Sequence, residues 1–123
     1  MATSAARPDL TRLDYLGVVL AAITGLLHLV LGAVALSSNL ADPFGLAFIA
    51  AAAGFAAGIV TVLRGSEQTR RRAILLGIPF TAGQIVLYVA LNWPNIFGVT
   101  GVVDKLVQLA LVAVLVVLYR RES

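Results

Sequence analysis

Residues 43–63 read PFGLAFIAAAAGFAAGIVTVL, a stretch without a charged side chain. A helix needs about 20 apolar residues to cross the hydrocarbon core of a bilayer, and this stretch has that length. Asp42 and Pro43 form a typical helix start, with a capping side chain followed by proline. Arg64 follows the stretch directly. The stretch therefore predicts a transmembrane helix, and it decides the fold class.

Three similar stretches flank this one, with short polar segments between them. The sequence predicts an all-α membrane protein, a small antiparallel bundle of four transmembrane helices. Residues 1–11 are expected to be a short cytoplasmic tail and residues 12–123 a single domain. The predicted spans are residues 15–36, 43–63, 73–91 and 102–119.

The composition favours lipid as the solvent for most of the chain. Of 123 residues, 60% are hydrophobic and 12% are charged, and the mean hydropathy is +0.98. Soluble domains average about 45–50% apolar and about 25% charged residues. The absence of cysteine excludes disulfides and thiolate metal sites. The net charge of +3 does not indicate a nucleic-acid partner, because the basic residues lie at the ends of apolar stretches.

The placement of the basic residues predicts the orientation. Cytoplasmic loops carry an excess of Lys and Arg. All basic residues except Lys105 fall on one side of the predicted membrane. Both termini and the central loop are therefore expected in the cytoplasm, which makes this a multi-pass protein of the cell membrane. The expected inner anchors are Arg64, Arg70, Arg71, Arg72, Arg120 and Arg121.

The first span has some features of a signal peptide. Arg7 and Arg12 precede it, and Ala33-Val34-Ala35 lies near its end. Its apolar run of about 20 residues exceeds the usual h-region of about 7–15 residues. We therefore expect a retained helix.

Small residues recur at helical spacing in two spans. Ala50, Gly54 and Gly58 follow one another every four residues in the second span, and Gly25 and Gly32 share a face of the first. Small residues allow close approach of helices in lipid. They predict helix packing, and the sequence leaves open whether the neighbouring helix belongs to the same chain.

Five polar side chains form the candidate site: His28, Gln84, Tyr88, Asp104 and Gln108. At 1.5 Å per residue they lie about 17–22 Å from the inner boundary, in the outer half of the bilayer. Polar groups inside a membrane are functional candidates. One interpretation is a proton-accepting or ligand-binding site around His28; the other is hydrogen bonding that joins helices.

Asp104 and Lys105 also have a structural interpretation. Asp104 lies in the first turn of the fourth span, where a negative charge suits the helix dipole. Lys105 is expected to extend toward the outer headgroups. The sequence does not establish whether His28 reaches Asp104.

Several segments resemble a known family. They are LDYLGVV at 13–19, TGLLHL at 24–29, GIPFTAGQ at 77–84 and the pair Asp104-Lys105. They resemble an uncharacterised four-helix membrane protein family of halophilic archaea, over nearly the whole chain. The resemblance implies an archaeal origin and implies no activity.

Two functions remain open from the sequence. The first is a non-catalytic scaffold or accessory subunit of a membrane complex or homo-oligomer. The second is a small transporter or channel that uses the polar cluster around His28. Small drug exporters have this size, but they use a membrane-embedded acidic residue in the first helix, whereas Asp14 lies at the inner edge.

Catalysis is not expected. The sequence has no metal-ligand cluster, no phosphate-binding glycine loop and no recognisable nucleophile–base pair. Haem with two axial histidines would need two protomers, since the chain has one histidine. No catalytic residue, cofactor or metal is therefore predicted, and the expected partners are the lipid bilayer and other membrane subunits.

Overall fold

The structure, a computed structural model, describes residues 10–121. The all-α prediction with four helices is confirmed, and each helix is long and apolar enough to span a membrane. Apart from residues 10 and 11, the predicted tail lies outside the described residues. The helices are α1 (Arg12–Ser38), α2 (Pro43–Arg64), α3 (Glu67–Asn92) and α4 (Val99–Arg121).

Side chains just before three of the helices fix where they begin. Thr11 and Asp14 form a capping box at the start of α1, in which each accepts a hydrogen bond from the backbone of the other. Asp42 caps α2, with Pro43 at the first helical position. Ser66 caps α3 by accepting from the backbone N–H of Thr69. The helices extend past the predicted spans because polar turns outside the apolar stretch are also helical.

The helices form a ring in which each packs against two neighbours. The contacting pairs are α1–α2, α2–α3, α3–α4 and α4–α1; the α1–α2 contact is the most extensive and the α2–α3 contact the least. Short loops make consecutive helices antiparallel. The basic end of the bundle holds the α2–α3 turn, and the loop end holds residues 39–42 and 93–98.

The burial pattern is the reverse of that in a soluble protein. Leu26 is 61% exposed and Leu76 66% exposed, whereas Thr24 and Gln108 are fully buried. Soluble proteins bury leucine and expose most polar residues. Lipid is the solvent that such a surface fits, so the pattern indicates a multi-pass membrane protein. A small apolar core of Ile74, Val114 and Leu118 lies toward the basic end.

Two glycines of α1 lie at a close contact with α2. A Cβ added to Gly32 would lie 2.7 Å from Ile49 Cδ1 and 3.1 Å from the carbonyl oxygen of Gly45, both on α2. A Cβ at Gly25 would lie 3.3 Å from Phe55 Cβ. These two predicted packing positions thus lie where α1 meets α2, and glycine is what allows the backbones to approach there.

The predicted packing positions of α2, which are Ala50, Gly54 and Gly58, do not lie at this contact. A Cβ on Gly54 would collide with the Phe80 ring of α3. Gly58 has no atom within 4 Å of an added Cβ, and Ala50 is exposed. Within residues 10–121, the Ala50–Gly58 pattern therefore makes no close contact with the backbone of another helix, and Gly54 packs against the ring of Phe80.

Candidate functional site

Buried and half-buried polar side chains of α1, α3 and α4 meet in the half of the bundle nearest the loop end. Hydrogen bonds join them into one cluster, which we call the polar network. Four of the five residues predicted for the site belong to it. Its members are Thr24, His28, Gln84, Asp104, Lys105 and Gln108.

Asp104 lies at the centre of the polar network and is 4% exposed. The Thr24 hydroxyl donates to one carboxylate oxygen at 2.6 Å, and Lys105 Nζ donates to the other at 2.7 Å. Both oxygens are therefore paired, and the adjacent ammonium balances the charge of the carboxylate. A buried charge is tolerated only with such a partner.

Gln108 joins three helices. Its amide nitrogen donates to Thr24 Oγ1 at 3.1 Å on α1 and to Gln84 Oε1 at 2.9 Å on α3. Its carbonyl oxygen accepts from Lys105 Nζ at 2.7 Å. Gln84 in turn donates to the carbonyl oxygen of Phe80 one turn earlier. These bonds hold α1, α3 and α4 together at one level.

The hydrogen bonding of His28 determines its tautomer. Nδ1 lies 2.8 Å from the carbonyl oxygen of Thr24, and a carbonyl oxygen only accepts, so Nδ1 carries the proton. Nδ1 is 3.9 Å from Asp104 Oδ1, too far for a hydrogen bond. In the neutral ring Nε2 is then an unprotonated acceptor. Within residues 10–121, Nε2 has no hydrogen-bond partner, although His28 is only 4% exposed.

Tyr88, the fifth predicted residue, does not hydrogen-bond to the polar network. Its hydroxyl donates to the carbonyl oxygen of Ile96 at 2.9 Å, which ties α3 to the 93–98 loop. Its ring lies 5.1 Å from Lys105 Nζ, a cation–π contact. The expectation that Lys105 extends toward the headgroups is wrong, because its ammonium turns inward to Asp104 and Gln108.

A cleft of about 560 Å³ opens between α2 and α3 beside the polar network. Binding pockets for small molecules usually have volumes of about 300–1,000 Å³. Small side chains such as Ala47, Ala51 and Gly83 make the cleft wide, because they leave the space between the helices unfilled. The lining of the cleft is mostly apolar, and its polar residues, which we call the cleft floor, are His28, Gln84, Tyr88, Asn92 and Lys105.

Aromatic rings hold the imidazole at the edge of this cleft. The His28 ring meets Phe48 edge-on with centroids 5.6 Å apart and lies 6.0 Å from Phe55. Phe55 packs edge-on against Phe80 at 5.1 Å. The ring of His28 is thus fixed between α1 and α2 while it lines the cleft. His28 is therefore both a lining residue of the cleft and a side chain with one nitrogen, Nε2, that has no hydrogen-bond partner within residues 10–121.

Sequence reasoning missed Thr24 as a site residue. Threonine is common in apolar helices, where its hydroxyl bonds to its own backbone. The signal was its spacing: Thr24 lies four residues before His28 and therefore on the same face of α1. Its hydroxyl donates to Asp104 and accepts from Gln108, so it links α1 to α4.

The predicted inner anchors lie at the basic end and differ in burial. Arg70 is 3% exposed, and its Nε donates to the carbonyl oxygen of Val62 at 3.0 Å, which ties α3 to α2. Arg71 lies 4.3 Å above the Tyr119 ring. The remaining anchors are exposed: Arg64, Arg72, Arg120 and Arg121.

Among residues 10–121, no three His, Cys, Asp or Glu side chains lie close enough together to hold a metal ion. No protein-family model, curated protein or solved structure matches the chain. The resemblance to the halophilic archaeal family therefore stays a prediction.

Proposed function

We propose that the chain is a multi-pass membrane protein that binds a small, neutral amphipathic molecule in the α2–α3 cleft. The observation that carries this proposal is the imidazole of His28, which is almost fully buried and lines the cleft with an unpartnered Nε2. Nε2 is not one of the buried atoms without a partner, so the atom itself is accessible although most of the side chain is buried. A bound molecule with a hydrogen-bond donor would pair with this acceptor.

The chemistry of the cleft floor suggests the ligand class. His28 Nε2 offers an acceptor, while Gln84 and Lys105 offer N–H donors beyond those already bonded. Lys105 is balanced by Asp104, so the floor has little net charge to attract an anion. A neutral head with a hydroxyl or carbonyl group fits these donors and acceptors. The aromatic and aliphatic walls, with Phe44 and Leu87 among them, suit an apolar tail.

Native mass spectrometry of the protein, gently extracted from its own membrane, tests binding. We expect a bound mass other than phospholipid on the wild type. Gly83→Leu should remove that mass, because an added Cβ there meets open space and the side chain would fill the cleft. Gly98→Leu is the matched control, since Gly98 also has open space around it but does not line the cleft.

Two results would contradict the binding proposal. One is a wild-type protein that carries only phospholipid. The other is a bound molecule that Gly83→Leu and Gly98→Leu retain equally, which would place it outside the cleft. The proposal is for binding without catalysis; transport of the bound molecule is its natural extension.

A second candidate is a scaffold or accessory subunit in a homo-oligomer or larger membrane complex. It is favoured by the exposed alanines Ala50, Ala53 and Ala57, which lie three or four residues apart on one face of α2. Such a face suits close packing with another helix in lipid. The same mass spectra test it: Ala53→Leu should dissociate an oligomer or release a foreign subunit, and an unchanged assembly would contradict it.

The proposed orientation places both termini in the cytoplasm, supported by the arginines of the basic end. The chain has no cysteine, so single introduced cysteines report accessibility cleanly. In intact cells, Leu40→Cys at the loop end should react with a membrane-impermeant maleimide, and Gln68→Cys at the basic end should not. The opposite labelling would contradict the orientation.

A further inference from the structure

A second cavity lies between the helices, nearer the basic end than the α2–α3 cleft. Its volume is about 70 Å³, and residues of all four helices line it. The lining is almost wholly apolar, and its polar residues are Asp14 and Thr81. Apolar cavities in proteins stay dry and accept apolar guests. We call this space the basic-half cavity.

The cleft and the basic-half cavity follow one another along the bundle axis. On α2, the residues that line the cleft lie within 44–51 and those that line the cavity within 54–62. On α3, the cavity lining lies within 73–81 and the cleft lining within 80–92. In the part of the chain that the structure describes, Phe80 is the one residue that lines both spaces. Phe80 therefore lies at the boundary between them.

Two contacts hold the Phe80 ring at this boundary. The ring lies against α2 at Gly54, where an added Cβ would collide with it. It also packs edge-on against Phe55, which is 5% exposed, with ring centroids 5.1 Å apart. Glycine at position 54 thus makes room for the ring between α2 and α3. The ring separates the cleft from the basic-half cavity.

The level of Phe80 determines how a bound molecule would meet it. Phe80 lies about 18 Å from Asn92, the last residue of α3, at 1.5 Å per residue. Half the hydrocarbon core of a bilayer is about 15 Å thick, so the ring lies near the middle of the membrane. The polar residues that α3 contributes to the cleft floor, Gln84, Tyr88 and Asn92, lie between Phe80 and the loop end. A molecule with its head at the cleft floor therefore meets the ring when its tail points toward the basic end, as the lipid tails of that leaflet do.

We propose that Phe80 limits the tail length of the molecule that binds in the α2–α3 cleft, an inference that rests on the binding function proposed above. The cleft takes a neutral alcohol or ketone with a short apolar tail, and that tail ends at the Phe80 ring. Without the ring, the cleft and the basic-half cavity form one space. A longer tail then gains van der Waals contacts with apolar residues of the cavity lining, such as Ile74 and Leu111.

Photoactivatable alcohols test this limit in lipid nanodiscs that contain the full-length chain. The probes are octanol and dodecanol with a diazirine at the end of the tail, and mass spectrometry of the irradiated protein identifies the labelled residues. On the wild type, we expect the octanol probe to label Ala51 in the cleft, and Gly83→Leu should remove that label. On Phe80→Ala, the dodecanol probe should label Ile74 or Leu111, which the wild type should not show. These two residues are 1% and 2% exposed, so probe dissolved in the surrounding lipid does not reach them.

Phe44→Ala is the matched control, since Phe44 lines the cleft near the loop end and does not line the cavity. It should leave Ile74 and Leu111 unlabelled. Gly58→Leu in the Phe80→Ala background should remove the new label, because Gly58 lines the cavity and has open space around an added Cβ. If Phe80→Ala does not fold, Phe80→Leu replaces it, since leucine is smaller than the ring but fills part of its place.

The labelling pattern separates failure of the length limit from failure of the binding site. A label at Ala51 that Gly83→Leu removes, with Ile74 and Leu111 unlabelled in the folded Phe80 variant, overturns the limit and leaves the binding site intact. A label at Ile74 or Leu111 in the wild type also overturns the limit, because the ring would then not separate the two spaces. If no label in the cleft depends on Gly83, the binding site and the length limit are both overturned.

Discussion

The two halves of the bundle are built from different chemistry. Near the loop end, the helices are joined by hydrogen bonds among the residues of the polar network. Toward the basic end, they are joined mainly by apolar contacts, together with the hydrogen bond from Arg70 to the carbonyl oxygen of Val62. The buried residues of that second half include Ile74, Leu111, Val114 and Leu118.

The difference shows how lipid changes the contribution of each kind of contact to the free energy of unfolding. In water, burial of apolar surface is the main driving force for folding. Lipid tails are as apolar as the side chains, so apolar contacts between helices stabilise the bundle only through van der Waals packing. Hydrogen bonds between helices still stabilise it. We therefore expect the polar half to determine the stability of this bundle.

Asp104→Leu tests this comparison with the largest expected effect. The substitution leaves the Lys105 ammonium buried with Gln108 as its remaining hydrogen-bond partner and removes the acceptor for the Thr24 hydroxyl. Loss of one partner from a buried ion pair costs about 3–5 kcal/mol. Reversible unfolding in a detergent titration measures the loss. Asp104→Asn, which keeps the shape, should cost less, and equal stability of wild type and Asp104→Leu would contradict the account.

Gly32→Ala should have the next largest effect and lower the free energy of unfolding by about 1–2 kcal/mol, because the added Cβ meets Ile49 and the backbone of Gly45. The matched control is Gly58→Ala, where the Cβ meets open space and the gain in helix propensity should stabilise by roughly 0.5 kcal/mol. The same unfolding titration compares the two variants. If both variants change the free energy of unfolding in the same direction, Gly32 does not lie at a tighter contact than Gly58.

Ile74→Ala probes the apolar half. Ile74 is 1% exposed and lies in the core cluster with Val114 and Leu118. In water such a change costs about 2–5 kcal/mol. In lipid only the packing part remains, and we expect about 1 kcal/mol. A loss larger than that of Asp104→Leu would reverse the comparison between the two halves.

Gln84→Leu should have the smallest effect, about 0.6 kcal/mol, the average for a hydrogen bond between membrane helices. It removes the acceptor for Gln108 but leaves the other two bonds of Gln108 in place. Unfolding measurements in a Gln108→Leu background provide the control, because the Gln84 change should then cost almost nothing. An undiminished cost there would show that Gln84 acts through another contact.

The helices were predictable because their apolar stretches are long and uninterrupted. Their ends were not, since hydropathy locates the lipid-facing part of a helix and not its polar turns. α3 begins at Glu67, well before the predicted span at residue 73, because Ser66 caps a turn that carries charged side chains. A capping residue followed by charged side chains was the signal for that earlier start.

The sequence was sufficient to predict that the polar residues of the candidate site lie at one height in the membrane. It was not sufficient to predict which of them are in contact. Spacing along one helix places a residue on a face but does not determine which neighbour that face meets. Lys105 illustrates this, because its direction depends on Asp104 and Gln108 being buried beside it. The cleft was not predictable, since its small side chains leave space only where the faces of α2 and α3 meet, and the sequence does not determine which faces meet.

The most direct test of the site is nitrogen-15 NMR of the imidazole in the full-length protein in lipid nanodiscs. The chain has one histidine, so the signals belong to His28 without further assignment. We predict the tautomer with the proton on Nδ1, bonded to the Thr24 carbonyl, and an Nε2 that shifts when the molecule bound in the cleft is removed. A proton on Nε2 alone, or an Nε2 signal that Gly83→Leu leaves unchanged, would contradict a ligand site at the cleft.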